Sequence, residues 1–262
     1  MGDASATTSR PGLMICTPSL HEPGPSNYDV FLRWTKLHFR DLVDIPAIPG
    51  GKITRALQFI TPGATGKEGE YFNIIQVSHH PIWSSQGYKD NCKRLDLENT
   101  RELLPGEEPV GCKAEMMVFD VCNAQFSIYE LVGEGTAEGY HSHPKLQKGQ
   151  RKVLVAVNVD GDEDGAREVL RGIAKDVENA RKGEAYASLY RHAGEEAQPY
   201  MHPPIEKADV GGGEWLGLVA IVGDEGLGVE EVRKVLKEGE GNRDGVKTGV
   251  WEEVLEVRES RQ

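Results

Sequence analysis

The 262-residue sequence contains no long hydrophobic run, since no stretch approaches the 18 or so apolar residues that a membrane-spanning helix requires. Its first residues, MGDASATTSRPG, lack the apolar segment of a secretory signal, and we expect residues 1–11 to form a disordered tail. Positive charge is scarce, because 30 Lys and Arg are set against 42 Asp and Glu, which leaves a net charge of −12. Such a chain is repelled by nucleic-acid phosphates and by anionic membranes. We therefore expect a cytoplasmic protein whose partner is a small molecule.

Recognised cofactor motifs are also lacking. The four cysteines form no C-x-x-C pair and are expected to be reduced, mostly buried thiols. The glycines of GEGTAEG (133–139) follow a predicted strand but precede no helix, and PGATGKEG (62–69) lacks the spacing of a phosphate-binding loop. No nucleophile signature of the G-x-S-x-G type occurs. These absences predict a protein that works without a cofactor.

The C-terminal half has a clear element order. Its first strand alternates valines, and its first helix carries apolar residues at steps of three and four. The order is β-α-β-β-α-β, which is the ferredoxin-like or split βαβ unit. The strands are predicted at 151–161, 185–193, 214–224 and 245–257, and the helices at 163–183 and 229–239.

The N-terminal half begins in the same order, with a strand at 12–20, a helix at 27–45 and a strand at 52–60. The segment AQFSIYELVGEG (124–135) is similar to EWLGLVAIVGDEG (214–226), since each is an apolar strand that runs into a glycine-rich acidic turn. This similarity favours an internal duplication, with 124–135 as the third strand of the first half. No fourth strand is evident there, unless it is very short or is supplied by an insertion at about 63–113.

The predicted fold class is therefore α+β, with two ferredoxin-like units at 12–150 and 151–262. Helices cover one face of each sheet, so the other face needs a partner. Two such sheets can bury these faces against each other and close a barrel of the dimeric α/β-barrel type within one chain. We expect an apolar pocket between the two sheets.

The first predicted helix carries an unusual apolar stripe in the stretch FLRWTKLHFRDL. Phe31, Trp34, His38 and Leu42 are spaced three, four and four apart and share one helical face. This pattern, followed by IPAIPGGKITRALQF, resembles the EthD family of the dimeric α/β-barrel superfamily over residues 12–62. The resemblance implies a pocket under the first helix and a cofactor-independent enzyme acting on aromatic or polyketide-like molecules. Several fungal members are lyases, and other superfamily members are cofactor-free oxygenases.

His38 is the position that the resemblance marks as catalytic. A partly buried imidazole stays neutral near pH 7, which is the state that a general base needs. The competing interpretation is a core histidine with satisfied hydrogen bonds. Tyr129 and His80 are the candidates for stabilising an enolate. The candidate substrate-binding residues are Phe31, Trp34, Leu42, Phe59, His79 and Trp83.

The function predicted from these residues is a cofactor-independent lyase, a dehydratase or decarboxylase. Its substrate would be a polyketide-like aromatic or a β-keto or β-hydroxy carbonyl compound of secondary metabolism. The alternatives are a cofactor-free oxygenase or cyclase on the same substrates, and a non-catalytic small-molecule binding or stress protein. His141 and His143 offer a metal site as an alternative, although we expect none. A homodimer is a further expectation.

Overall fold

The computed structural model describes residues 10–49, 51–112, 116–134, 146–180, 183–195, 213–238 and 246–258. Within these ranges eight strands and four α-helices alternate in two similar halves. The strands are β1 (Gly12–Leu20), β2 (Ile53–Ile60), β3 (Tyr71–Val77), β4 (Cys122–Glu134), β5 (Arg151–Val159), β6 (Glu184–Glu195), β7 (Trp215–Gly223) and β8 (Val246–Arg258). The helices are α1 (Pro25–Val43), α2 (Gln86–Lys89), α3 (Glu163–Asn179) and α4 (Val229–Glu238).

The strands close into one barrel in the order β1-β3-β2-β8-β5-β7-β6-β4, with every neighbouring pair antiparallel. In the first half, β1 lies between β3 and β4, and β2 lies beyond β3. In the second half, β5 lies between β7 and β8, and β6 lies beyond β7. The β2–β8 and β4–β6 pairs join the halves. The expected α+β barrel is therefore present. The descent of its halves from duplicated ferredoxin-like units, with a boundary at residue 150, stays a prediction.

Residue alternation along the strands separates the barrel interior from its outer face. On β1, Leu13 and Ile15 point inward, whereas Met14 points to the outer face beneath α1. The interior is occupied by aliphatic side chains and by large aromatic ones, which the two halves contribute together. The aromatic members of this interior cluster are Phe59, Phe72, Tyr129, Tyr186, Tyr190 and Trp251.

The helices pack on the outer face and follow their local sequence signals. Pro25 occupies the first turn of α1, where a missing backbone N–H costs nothing. Asp162 caps α3 by accepting a hydrogen bond from the Gly165 backbone N–H at 2.8 Å. Both helices bury their apolar stripe against the sheet, as their periodicity predicts. Across the described residues, no helix combines the length and apolar composition needed to cross a membrane.

The insertion predicted at 63–113 contains the third strand of the first half, β3. The segment 124–135 belongs to β4 and is the fourth strand, so its assignment as the third strand was wrong. All seven residues of β3 are buried. A strand covered on both faces lacks the alternation of polar and apolar residues on which recognition depends, because neither face meets water.

The connection between β3 and β4, residues 78–121, occupies the place that α4 takes in the second half. Its described residues, 78–112 and 116–121, contain α2 and three 3₁₀ turns instead of one long helix. Its Leu95, Leu97 and Val110 are buried in one cluster with Phe31 and Trp34 of α1. We call residues 78–121 the β3–β4 connection. Because it is irregular, it leaves a space between itself, α1 and the barrel.

Candidate functional site

The space beneath α1 is a cavity of about 60 Å³, lined by α1, the outer face of the barrel and the β3–β4 connection. One water needs roughly 10–15 Å³, so the cavity admits a few water-sized groups without movement of its walls. Most of its lining is aromatic or aliphatic. The cavity lies outside the barrel, beneath the first helix, as the resemblance implied. The pocket expected between the two sheets stays a prediction.

Three rings form a column along α1 beside the cavity. Phe31 stacks on Trp34 with ring centroids 5.8 Å apart, and Trp34 stacks on His38 at 4.5 Å and 15°. The indole Nε1 of Trp34 donates a 2.9 Å hydrogen bond to the backbone oxygen of Arg94. This bond ties the column to the β3–β4 connection and fixes the plane on which the imidazole of His38 rests.

His38 is held as a neutral imidazole. Its pKa is lowered to about 3, mainly by burial and also by the nearby positive charge of Lys93, while a hydrogen bond with the backbone of Cys92 acts in the opposite direction. Its Nδ1 atom is buried and has no hydrogen-bond partner. A neutral ring with one free nitrogen can accept a hydrogen bond or a proton from a molecule in the cavity.

Two amide side chains of the lining also have unused acceptors. Asn73 is 4% exposed and makes a hydrogen bond with the Cys16 thiol, while its Oδ1 atom has no partner. Asn91 likewise has a buried Oδ1 atom without a partner. Burial raises the pKa of Cys16, and it raises the pKa of Cys122 to about 12. Both cysteines therefore stay protonated thiols and are poor nucleophiles.

The structure brings four of the predicted site residues to this cavity. Phe31, Trp34, His38 and Leu42 line it together, as their shared helical face predicted. The cavity is also lined by Asn73, Asn91 and Lys93, which the sequence reasoning missed. Asn73 interrupts the apolar strand YFNIIQV and could have been noticed as a polar residue in a buried strand. Asn91 and Lys93 lie in an irregular segment whose sequence carries no periodic signal.

Tyr129 and Phe59 are not at the cavity. Both side chains point into the barrel, on the opposite face of the sheet from His38. The hydroxyl of Tyr129 donates a hydrogen bond to the backbone oxygen of Gly213 at 3.0 Å. Strand alternation decides this placement, because one face of β4 meets α1 and the other meets the interior. The expected pairing of Tyr129 with His38 across one pocket is therefore not present.

The chain leaves β3 at His79, His80 and Trp83, and none of the three belongs to the cavity lining. The ring of His80 packs over Gly12, where a Cβ atom would lie 2.0 Å from its Nε2. That nitrogen lies 3.2 Å from the Tyr129 backbone oxygen, and burial lowers the pKa of His80 despite Glu130 nearby.

The other two residues have local contacts as well. His79 Nδ1 is 3.3 Å from the Ser78 hydroxyl oxygen, and Trp83 packs edge-on against Tyr88 at 5.1 Å. The pair His141 and His143 lies outside the described residues. Within the ranges that the structure does describe, no group of three or more His, Cys, Asp or Glu side chains could hold a metal ion.

No protein-family model matches the chain, and no curated protein matches it. Solved structures with a distant likeness exist. An anthrone oxidase-like protein aligns over 95% of this chain and 94% of its own, with 9% identity and a TM-score of 0.47. A protein from Lactobacillus acidophilus NCFM, provisionally named a monooxygenase, aligns over 95% and 97% with 10% identity and a TM-score of 0.47. These likenesses are too distant to carry an argument about function.

Proposed function

We propose that the protein is a cofactor-independent enzyme of the EthD type that moves a proton on a small carbonyl compound bound in the cavity beneath α1. The observation that carries this proposal is the neutral imidazole of His38, which lines a mostly apolar cavity and whose buried Nδ1 atom has no hydrogen-bond partner. Such a site places a proton acceptor beside a desolvated substrate.

The reaction class that suits this arrangement is that of a lyase. In a dehydration, His38 takes the α-proton of a β-hydroxy carbonyl compound, and the resulting enolate forms a double bond while the hydroxyl group leaves as water with the proton that His38 returns. In a decarboxylation, loss of CO₂ from a β-keto acid gives an enolate, and His38 passes a proton taken from water to its α-carbon. In both reactions His38 exchanges one proton with the α-carbon of the substrate.

The low pKa of His38 is caused by burial of the imidazole and by the nearby charge of Lys93. An enolate that forms beside the ring favours the imidazolium, because an opposite charge at short range stabilises the charged form. The ammonium of Lys93 stabilises the same enolate. Lys93 therefore takes the role that the sequence reasoning gave to Tyr129 or to a histidine of the insertion.

The size of the cavity favours a small substrate. Pockets for drug-sized ligands measure about 300–1,000 Å³, whereas this cavity measures about 60 Å³. A polycyclic polyketide would need a large displacement of the β3–β4 connection. A short-chain β-hydroxy or β-keto acid needs much less movement, and we propose this class of substrate.

Proton exchange at the α-carbon tests the proposal without knowledge of the natural substrate. The purified protein is incubated in D₂O with a panel of short β-hydroxy and β-keto acids, and NMR follows deuterium entering the α-position and the appearance of alkene or CO₂. We expect exchange or product for at least one member. If no member of the panel shows exchange or product, the proposed chemistry is wrong. An oxygen electrode run in parallel separates the lyase from a cofactor-free oxygenase, which would consume O₂.

A second candidate is a non-catalytic binding protein. The pKa of about 3 at His38 favours it, because so weak a base is better suited to accepting a hydrogen bond than to removing a proton from carbon. Ligand binding without exchange or product in the D₂O experiment would identify this function.

The expected homodimer also remains a proposal, and it would use an outer surface because the chain closes its barrel alone.

A further inference from the structure

We infer that the ligand of the cavity beneath α1 is a small carboxylate that also carries a hydroxyl group. Lys93 binds the carboxylate, and Asn73 accepts a hydrogen bond from the hydroxyl. This inference rests on the site of the proposed function but concerns recognition, so it can hold even if the bound molecule is not turned over.

The charge of the cavity is opposite to that of the chain. The chain carries a net charge of −12, yet no Asp or Glu is found among the described residues that line the cavity. Lys93 is the cation in that lining, and it stands close enough to influence the ionisation of His38. A cationic cavity without a carboxylate of its own is complementary to an anion.

Lys93, which is half-buried, differs from the buried cations of the described chain. Lys152 is fully buried and contacts Glu253 at 2.5 Å, and Arg55 contacts Glu256 at 2.9 Å. Within the described ranges no such ion pair joins Lys93 to a carboxylate. None of the described carboxylates pairs with this partly buried ammonium, and a carboxylate of the ligand would supply a counter-charge to it.

The amide side chains of the cavity lining indicate that the ligand carries a hydroxyl group. Asn73 Oδ1 and Asn91 Oδ1 are both buried acceptors without a donor, and a buried acceptor costs free energy until a donor reaches it. A carboxylate has no donor, so the ligand needs a second polar group with a hydrogen to give. In a β-hydroxy acid the carboxylate and the hydroxyl flank the α-carbon, which leaves the α-proton for His38.

Isothermal titration calorimetry with three matched probes tests the inference. The probes are 3-hydroxybutyrate, its uncharged isostere 3-hydroxybutyramide, and butyrate, which lacks the hydroxyl group. Each is titrated into the wild type, Lys93→Met and Asn73→Leu. The control variant is Lys89→Met, which removes the same charge from an exposed position of α2 in the same connection.

We expect the wild type and Lys89→Met to bind 3-hydroxybutyrate about tenfold or more tightly than the amide, which is the order expected for a charge-assisted hydrogen bond. Lys93→Met should bind acid and amide alike, and Asn73→Leu should bind 3-hydroxybutyrate no better than butyrate. Equal binding of acid and amide to the wild type, an acid preference that survives in Lys93→Met, or no binding of 3-hydroxybutyrate would each overturn the inference. Lys93-dependent binding without proton exchange would leave it standing and reject the proposed catalysis alone.

Discussion

At the scale of single residues, the main question is whether His38 acts in catalysis or only packs in the core. We expect His38→Gln to fold normally and to lose at least ~10² in turnover of the substrate that the D₂O experiment identifies, which is the usual contribution of a general acid or base. Glutamine keeps much of the volume and can accept a hydrogen bond, but it cannot exchange a proton near neutral pH. Steady-state kinetics and thermal unfolding are measured together. Near-normal turnover in His38→Gln would show that His38 is a packing residue.

The same residue makes stability depend on pH. The folded protein keeps His38 neutral down to about pH 3, whereas a histidine in the unfolded chain takes up a proton near pH 6.5. Between these values the unfolded state binds the extra proton, so His38 makes the folded state less stable as the pH falls. At pH 5 this amounts to on the order of 2 kcal/mol. We expect the melting temperature of the wild type to fall more steeply from pH 7 to pH 5 than that of His38→Gln, and parallel curves would contradict this.

At the scale of elements, an ion pair of Arg101 joins the β3–β4 connection to α1. Arg101 donates to Asp41 of α1 at 2.6 Å and to Glu107 at 2.7 Å, and the Glu107 side chain is 1% exposed. Arg101→Met leaves the Glu107 carboxylate with Arg40 at 3.5 Å as its remaining cation. Removing one partner of a buried pair is destabilising, and we expect about 2 kcal/mol because Arg101 is partly exposed.

Hydrogen exchange should show that the stability lost in Arg101→Met is lost in the β3–β4 connection. We expect faster exchange at residues 86–112 and little change in the barrel strands. The control is Arg33→Met, which removes the partly exposed pair of Arg33 with Asp29 on the same helix and should cost less than about 0.5 kcal/mol. A uniform rise in exchange over the whole chain would mean that the connection is not a separate unit.

The elements differ in how far the sequence revealed them. Helix α1 was predicted at 27–45 and is found at Pro25–Val43, because its apolar stripe repeats with the helical period and its ends carry prolines. Strand β3 was hidden because burial on both faces removes the alternation. The cavity was anticipated in part: the stripe named Phe31, Trp34, His38 and Leu42, whereas Lys93 and Asn91 reach the site through an irregular connection that no local pattern describes.

At the scale of the whole molecule, the two halves depend on each other. The inner faces of both sheets form one apolar cluster, and the edges β6 and β8 of the second half pair with β4 and β2 of the first. The pair Arg55–Glu256 at 2.9 Å crosses the β2–β8 seam. A half expressed alone would expose its inner face and two strand edges, which a small domain cannot leave uncovered.

The arrangement of the seams predicts how an isolated half should behave. The two halves meet at the β2–β8 and β4–β6 pairs, and each pair joins the second strand of one half to the fourth strand of the other. In a dimer of residues 146–262, β6 of one copy can therefore pair with β8 of the other copy, and β8 with β6. We expect this fragment to form a two-fold dimer that completes a barrel, with the mass of a dimer in size-exclusion chromatography with light scattering. Lys175→Glu lies at an exposed position of α3 and should leave the dimer intact. Leu218→Asp, on the inner face, should abolish it. A stable folded monomer of the wild-type fragment would show that the halves are independent domains and that the shared interior is not required for either.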